Sequence, residues 1–137
     1  MRLVDTNVLL YAASPAPDDA AKHGLAVALL KQPDLALSVQ VLAEFLVQAT
    51  RRSRPHALSA ELAMRFLSVF DDFSVQPITA EVFRAGVSLS QRFGLSYWDG
   101  AILAAAQALG CDAVYSEDMS AQQDYDGLRV INPFVEQ

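Results

Sequence analysis

The alternation of apolar and polar positions divides the chain into short strands and longer helices. Residues 2–5 form a run that ends in Asp5-Thr6-Asn7, three residue types that cap helix starts, and Val8, Leu9, Leu10 and Tyr11 follow, which reads as strand, then helix. Ser14-Pro15-Ala16-Pro17 breaks the pattern. Asp18 and Asp19 then open a second helix to about Lys31, with Ala21, Leu25, Ala28 and Leu29 as its apolar stripe. Residues 35–37 read as a strand, and Ser38 caps a helix from Val39 to about Arg52 that stops before Arg54-Pro55. A helix over 59–70 repeats Leu58, Leu62, Phe66 and Val69. Residues 73–75 read as a strand, and a helix over 79–93 repeats Val82, Ala85, Leu89 and Phe93. Residues 98–109 are apolar on nearly every side, which predicts a buried central helix ended by Gly110. Residues 113–115 and 129–131 are the last strands. Strands alternating with helices, without internal repeats or linkers, predict a three-layer α/β/α sandwich around a small, mostly parallel sheet, with helices outnumbering strands.

Composition narrows the function. A length of 137 residues and a hydrophobic content of 53% suit one domain with a full core. The formal charge of −6 argues against broad, sequence-independent affinity for nucleic acid, which depends on Lys and Arg neutralising phosphates. Cys111 is the only cysteine, which excludes an intrachain disulfide and a cysteine-rich zinc site and fits a reducing compartment. The start of the chain lacks a basic-then-apolar signal, and no apolar run approaches the roughly 18 residues that span a bilayer. The expectation is a cytoplasmic protein without a membrane partner.

Four carboxylates carry the candidate chemistry. Asp5 and Asp118 follow strands, Glu44 lies within a helix, and Asp99 opens the apolar one. Acids at strand ends of a parallel fold converge on the carboxyl edge of the sheet, where such folds bind ligands. Several anionic oxygens in one crevice repel each other unless a cation lies between them, and an oxygen-only donor set favours Mg²⁺ or Mn²⁺ over zinc. That points to metal-dependent phosphoryl transfer. Each acid also has a structural explanation. Asp5 can cap the first helix; Glu44 can share a solvated face with Gln40, Gln48, Arg51 and Arg52; Asp99 can complete a capping box with Ser96; and Asp118 can bond backbone in a turn. His23 and His56 lack metal-ligand spacing and read as surface residues, and Trp98 reads as core packing beside Asp99. Arg51, Arg52 and Arg54 form the one concentrated positive feature, either a solvated helix end or a phosphate-contacting patch.

The opening Val4-Asp5-Thr6-Asn7-Val8-Leu9, the helix bearing Glu44, the segment Ser96-Tyr97-Trp98-Asp99-Gly100-Ala101-Ile102, and Tyr115-Ser116-Glu117-Asp118-Met119 with the ending Arg129-Val130-Ile131-Asn132-Pro133-Phe134 together resemble a PIN-domain protein, and among these the VapC-type toxin ribonucleases of bacterial toxin–antitoxin pairs. The resemblance covers the whole chain and implies a single PIN-like nuclease domain over 1–137. It implies that Asp5, Glu44, Asp99 and Asp118 are a catalytic quartet binding Mg²⁺ or Mn²⁺, supported by Thr6, Asn7 and Ser116. It further implies RNA as substrate (tRNA, rRNA or mRNA), a homodimer, and inhibition by a cognate antitoxin. Two positions depart from the usual family pattern. Ser116-Glu117-Asp118 offers two acids, with Asp118 expected in the site and Glu117 as an outer substitute, and Gly100 stands where a larger residue is common. A rival of another class is a non-catalytic acidic pocket that receives a basic peptide. An aspartyl-phosphate phosphatase is a weaker rival, because Asp5-Thr6-Asn7 lacks the second Asp of Asp-x-Asp. The helices over residues 18–31 and 59–70 are the expected antitoxin and dimer contacts.

Overall fold

The computed structural model describes residues 1–120 and 123–135. Strand β1 (Arg2–Val4) leads into α1 (Thr6–Ala13), and a single 3-10 turn (Pro17–Asp19) precedes α2 (Ala20–Leu30). β2 (Leu35–Ser38) enters α3 (Val39–Ala49), followed by α4 (Ala60–Leu67), a second 3-10 turn (Ser68–Phe70) and β3 (Ser74–Gln76). α5 (Ala80–Phe93), α6 (Tyr97–Ala108), β4 (Ala113–Tyr115), β5 (Asp124–Tyr125) and β6 (Leu128–Ile131) complete the chain. The sheet order is β3-β2-β1-β4-β6-β5, parallel except for β5. This is the expected α/β/α sandwich. Helices do not outnumber strands, however: six α-helices and six strands stand among the described residues.

The strand that the apolar pattern missed is β5. Tyr125 pairs with Leu128 across a two-residue turn in which Asp126 and Gly127 both have positive φ, 56° and 92°. Asp-Gly is a strong hairpin signal because both residues tolerate the left-handed region. Two residues of strand are too short to show an apolar period, so only the turn could have revealed it.

The caps at Ser38 and Ser96 formed as read, and Thr79, read only as the first residue of its helix, caps as well. Ser38 Oγ accepts from Val41 N, Thr79 Oγ1 from Val82 N, and Ser96 Oγ from Asp99 N. α3 ends at Ala49, three residues earlier than expected, so Arg51 and Arg52 fall in the turn beyond it. One apolar stripe was misplaced and another was half right, with Leu58 and Phe66 packed against the core as expected. On α2 the buried residues are Ala26 and Leu29, while Ala21, Leu25 and Ala28 are exposed. On α4 and its following turn, Ala63, Leu67 and Phe70 are buried, whereas Leu62 and Val69 face solvent. The stripe on α5 is correct, with Leu89 buried and Val82, Ala85 and Phe93 packed against the core. Most of its other positions are charged, polar or glycine, so one amphipathic period dominates despite Phe83 and Val87; α2 is apolar on several faces and fixes no single stripe.

The core lies on both faces of the sheet, with Leu3, Val4, Leu37, Val114 and Val130 fully buried between layers. α6 is buried from Gly100 to Ala106. It crosses α5 closely: a Cβ on Gly100 would strike the Gly86 carbonyl oxygen and lie 2.9 Å from Ser90 N and Cβ, and one on Gly86 would lie 3.0 Å from Ala101 Cα. Gly100 is therefore required by packing, an advantage that outweighs its weak helix propensity.

Candidate active site

The sheet reverses its winding direction at β1, whose neighbours β2 and β4 lie on opposite sides, and a crevice opens at the carboxyl ends of such a pair. Asp5 leaves β1 there, and Ser116, Glu117 and Asp118 leave β4 beside it; Asp5 N donates to the Tyr115 carbonyl at 3.0 Å. α3 brings Glu44 and α6 brings Asp99 to the same cleft, which has a volume of about 380 Å³. All four sequence-predicted acids line it, as do Thr6, Asn7, Glu117 and Arg54. Arg51 and Arg52 are exposed in the turn and do not line it.

Asp5 is buried and satisfies the capping and the site readings together. Its Oδ1 accepts from Thr6 N at 2.7 Å, and its Oδ2 accepts from Ser116 Oγ at 2.8 Å. Burial pushes the Asp5 carboxyl up to about 6; the hydrogen bonds from Ser116 and Thr6 oppose this, and the charges of Asp118 and Glu44 add to it. Ser116 Oγ also accepts from Asp118 N at 3.1 Å, fixing the turn after β4. Asn7 Nδ2 donates to Asp118 Oδ2 at 3.0 Å and lies 3.4 Å from Ser116 Oγ. Asn7 Oδ1 is left buried without a partner.

The opposite wall is half-buried. Glu44 Oε2 accepts from Thr6 Oγ1 at 3.0 Å and Oε1 from Gln40 Nε2 at 2.9 Å. Gln40 Nε2 also reaches the Trp98 carbonyl at 3.3 Å, joining α3 to the start of α6. The Asp99 carboxyl is raised by burial first, then by the charge of Asp118; the Ser96 hydroxyl opposes this, and Glu44 adds to it.

Glu117 carries its own counter-charge. Its Oε2 accepts from Lys22 Nζ at 2.9 Å and its Oε1 from Tyr11 Oη at 2.8 Å, which leaves Asp118 as the acid of this pair that faces Asn7. Lys22 Nζ also sits over the Tyr11 ring at 4.8 Å. Sequence reading did not find Tyr11, Lys22, Gln40 or Gln48. Gln40 and Gln48 stand one turn either side of Glu44, a signal taken for a solvated face. Tyr11 stands one turn after Asn7, on the face that α1 presents to the cleft. Two expectations are corrected. Trp98 is not core but 61% exposed at the cleft, in the first turn of α6 beside Asp99. His23 is half-buried, with Nδ1 3.0 Å from the Tyr11 carbonyl, whereas His56 is exposed as expected.

The donor set fits a hard divalent cation. The cleft side chains that could bind one offer oxygen, the carboxyls of Asp5 and Asp99 are raised by burial and by like charges that a cation would relieve, and Asn7 Oδ1 is an unused buried acceptor. Among the described residues, no three His, Cys, Asp or Glu side chains already converge as a ready ligand cage. The four acids share a cleft without converging on one point. Also among the described residues, no helix is long and apolar enough to cross a membrane.

Comparison with known proteins agrees with this architecture. A search of curated proteins found no match. Among solved structures, the chain resembles a toxin–antitoxin complex from Klebsiella pneumoniae (22% identity, TM-score 0.71, covering 97% of this chain and 98% of that one). It also resembles VapC20 of Mycobacterium tuberculosis, described as a sarcin–ricin loop cleaving toxin (23% identity, TM-score 0.69, 86% and 90% covered). A third likeness is to FitAB bound to a DNA fragment (21% identity, TM-score 0.70, 100% and 98% covered). At such identities the likeness concerns the fold. The PIN domain family model matches residues 2–127, nearly the whole chain, and the protein belongs to the PIN domain family.

Proposed function

We propose that residues 1–137 form a single nuclease domain, a Mg²⁺- or Mn²⁺-dependent endoribonuclease that is the toxin of a toxin–antitoxin pair. The observation that carries this reading is the delivery of Asp5, Glu44, Asp99 and Asp118 from four separate elements to one cleft in an oxygen-only donor set. Membership of the PIN family supports the nuclease assignment. The fold likeness to toxin–antitoxin structures supports an antitoxin partner.

In this reading the carboxylates of Asp5, Glu44, Asp99 and Asp118 would hold the divalent cation. When bound, the cation supplies Lewis acidity toward a phosphate oxygen and makes water a better nucleophile near neutral pH. The protein's part is placement. Thr6 and Gln40 orient Glu44, Ser116 orients Asp5, and Asn7 orients Asp118, as polar neighbours of ligands generally do. Lys22 and Tyr11 hold Glu117 neutralised and out of competition. Arg54 is the RNA contact at the cleft, with Arg51 and Arg52 as outer contacts. The substrate is a structured RNA cut at few sites, since a net charge of −6 gives little indiscriminate hold on polyanions. The apolar groove between α3 and α4, lined by Leu42, Leu46, Met64 and Leu67, offers a face for a protein partner.

The test is cleavage of a labelled tRNA and rRNA pool by wild type and Asp5→Asn with Mg²⁺, Mn²⁺ or EDTA. Metal-dependent cutting that disappears in Asp5→Asn is expected. Cutting that persists in EDTA or in the variant overturns the assignment. A second reading, an acidic pocket that receives a basic peptide, is supported by the same carboxylates, which would pair with arginine. Binding of an arginine-rich peptide with no cutting under any metal would favour it.

A further inference from the structure

Trp98 is the chain's single tryptophan and stands 61% exposed at the cleft, next to Asp99. Tryptophan is usually well covered in folded proteins, so a bare indole at a polar cleft requires a reason. It is also held in place. Its carbonyl accepts from Gln40, and its ring meets the Tyr97 ring at 5.2 Å, Tyr97 in turn meeting half-exposed Phe83 at 5.5 Å. Gln40, Glu44 and Gln48 run along α3 at four-residue steps, a line of roughly 12 Å. Trp98 is tied to the first of them, and Arg54 follows the end of the same helix, lining the same cleft. No ion pair occupies Arg54 among the described residues. The cleft thus presents a flat aromatic surface at one end, a free guanidinium at the other, and the carboxylates between.

We propose that Trp98 is a stacking platform for an unpaired nucleobase beside the scissile phosphate, with Arg54 holding a backbone phosphate, so that RNA enters as a single-stranded loop or end. This deepens the nuclease reading and rests on it. An acidic protein cannot hold RNA mainly by neutralising phosphates, whereas base stacking on an aromatic face needs no net charge and tolerates sequence. Bases in a duplex have their faces covered, while those of loops and bulges are open to an aromatic side chain.

Because Trp98 is the only tryptophan, its fluorescence reports the contact directly. In the Asp5→Asn protein with Mg²⁺, an unstructured 12-nucleotide RNA should quench it, and the same RNA annealed to its complement should not. Trp98→Ala should weaken binding of the labelled single strand about tenfold or more, with Trp98→Phe retaining most of the affinity. In the otherwise wild-type enzyme, Trp98→Ala should raise KM and leave kcat nearly unchanged. Wild-type cleavage with unchanged KM and RNA affinity in Trp98→Ala would overturn the platform and leave the nuclease reading intact. Altered oligomer mass in Trp98→Ala with unchanged RNA affinity would likewise overturn it, assigning the indole to a protein interface. Quenching by single-stranded RNA from a protein that cuts nothing would support the platform and sink the nuclease.

Discussion

The two walls of the cleft are built on different terms. On the strand side, Asp5 and Asp118 are tied through Ser116 and Asn7 into a network anchored on adjacent strands, and Asp5 is almost wholly buried. On the helix side, Glu44 and Asp99 are half-buried and project from α3 and α6, with Glu44 held by Thr6 and Gln40. A carboxylate fixed in a dry place is positioned at the expense of stability, because its charge has lost water; a carboxylate on a wetter helix face costs less and is free to adjust. The strand wall therefore stores strain, while the integrity of the helix wall depends on how α6 is seated.

Breaking the seat of α6 should have the largest effect. Gly100→Ala drives a methyl into the backbone of α5 at Gly86 and Ser90, which cannot give way as a flexible side chain would. A loss of about 3 kcal/mol or more in urea unfolding is expected. A loss under about 1 kcal/mol would mean that the helices separate easily.

The strand wall should respond with the opposite sign. The Asp5 carboxyl, raised from 3.8 to about 6 in the folded protein, binds its proton more tightly there than in the unfolded chain. Its contribution is thus fully present below about pH 3.8 and lost as pH rises through about 6, leaving a destabilisation of up to about 3 kcal/mol at pH 7. In EDTA at pH 7.5, Asp5→Asn should be more stable than wild type by about 1–2 kcal/mol, after allowance for its weaker bond with Ser116. That advantage should shrink between pH 6 and pH 4. Adding Mg²⁺ should raise the Tm of wild type more than that of the variant. An Asn variant less stable at every pH would remove the strain from the account.

Ser116→Ala sharpens the contrast, since it takes the donor from Asp5 and the acceptor from Asp118 N together. About 1–2 kcal/mol should be lost by thermal or chemical unfolding, and the Asp5 carboxyl should rise further. Thr6→Val, removing one bond to half-buried Glu44, should cost less than Ser116→Ala; the reverse order would contradict the distinction between the walls.

The smallest effect is expected far from either wall. Val69→Ser, at a residue 74% exposed, should change stability by no more than about 0.5 kcal/mol. Ala63→Ser, on the buried side of α4, should cost more, which would confirm in solution the face the structure assigns.

Local chemistry made much of the molecule readable. Ser38, Thr79 and Ser96 cap where their side chains can reach backbone N–H groups three residues on, an effect that needs no tertiary context. Strand 113–115 and the apolar segment that became α6 were legible because their composition allows burial on both sides, and strand 129–131 because exposed Arg129 is followed by the apolar pair Val130-Ile131. The stripe of α2 was not, since AAKHGLAVALL is apolar on several faces and only packing against α1 decides which one is covered. The polar face of α3 was visible as Gln40, Glu44 and Gln48, yet nothing in the spacing separates a solvated face from the wall of a cleft.

The sequence by itself determined the order of strands and helices apart from β5, the caps at Ser38 and Ser96, the acidic character of the chain and the identity of the four candidate acids, because these depend on interactions within a few residues. Only the tertiary structure decided that Asp5 and Asp118 are joined through Ser116 across adjacent strands, more than a hundred residues apart, that Glu117 is neutralised by Lys22, that Gly100 is demanded by the α5 crossing, and that Trp98 stands in the open. Each of these depends on which surfaces the sheet brings together, and the resulting burial and charge are properties of the assembled cleft rather than of any local run of residues.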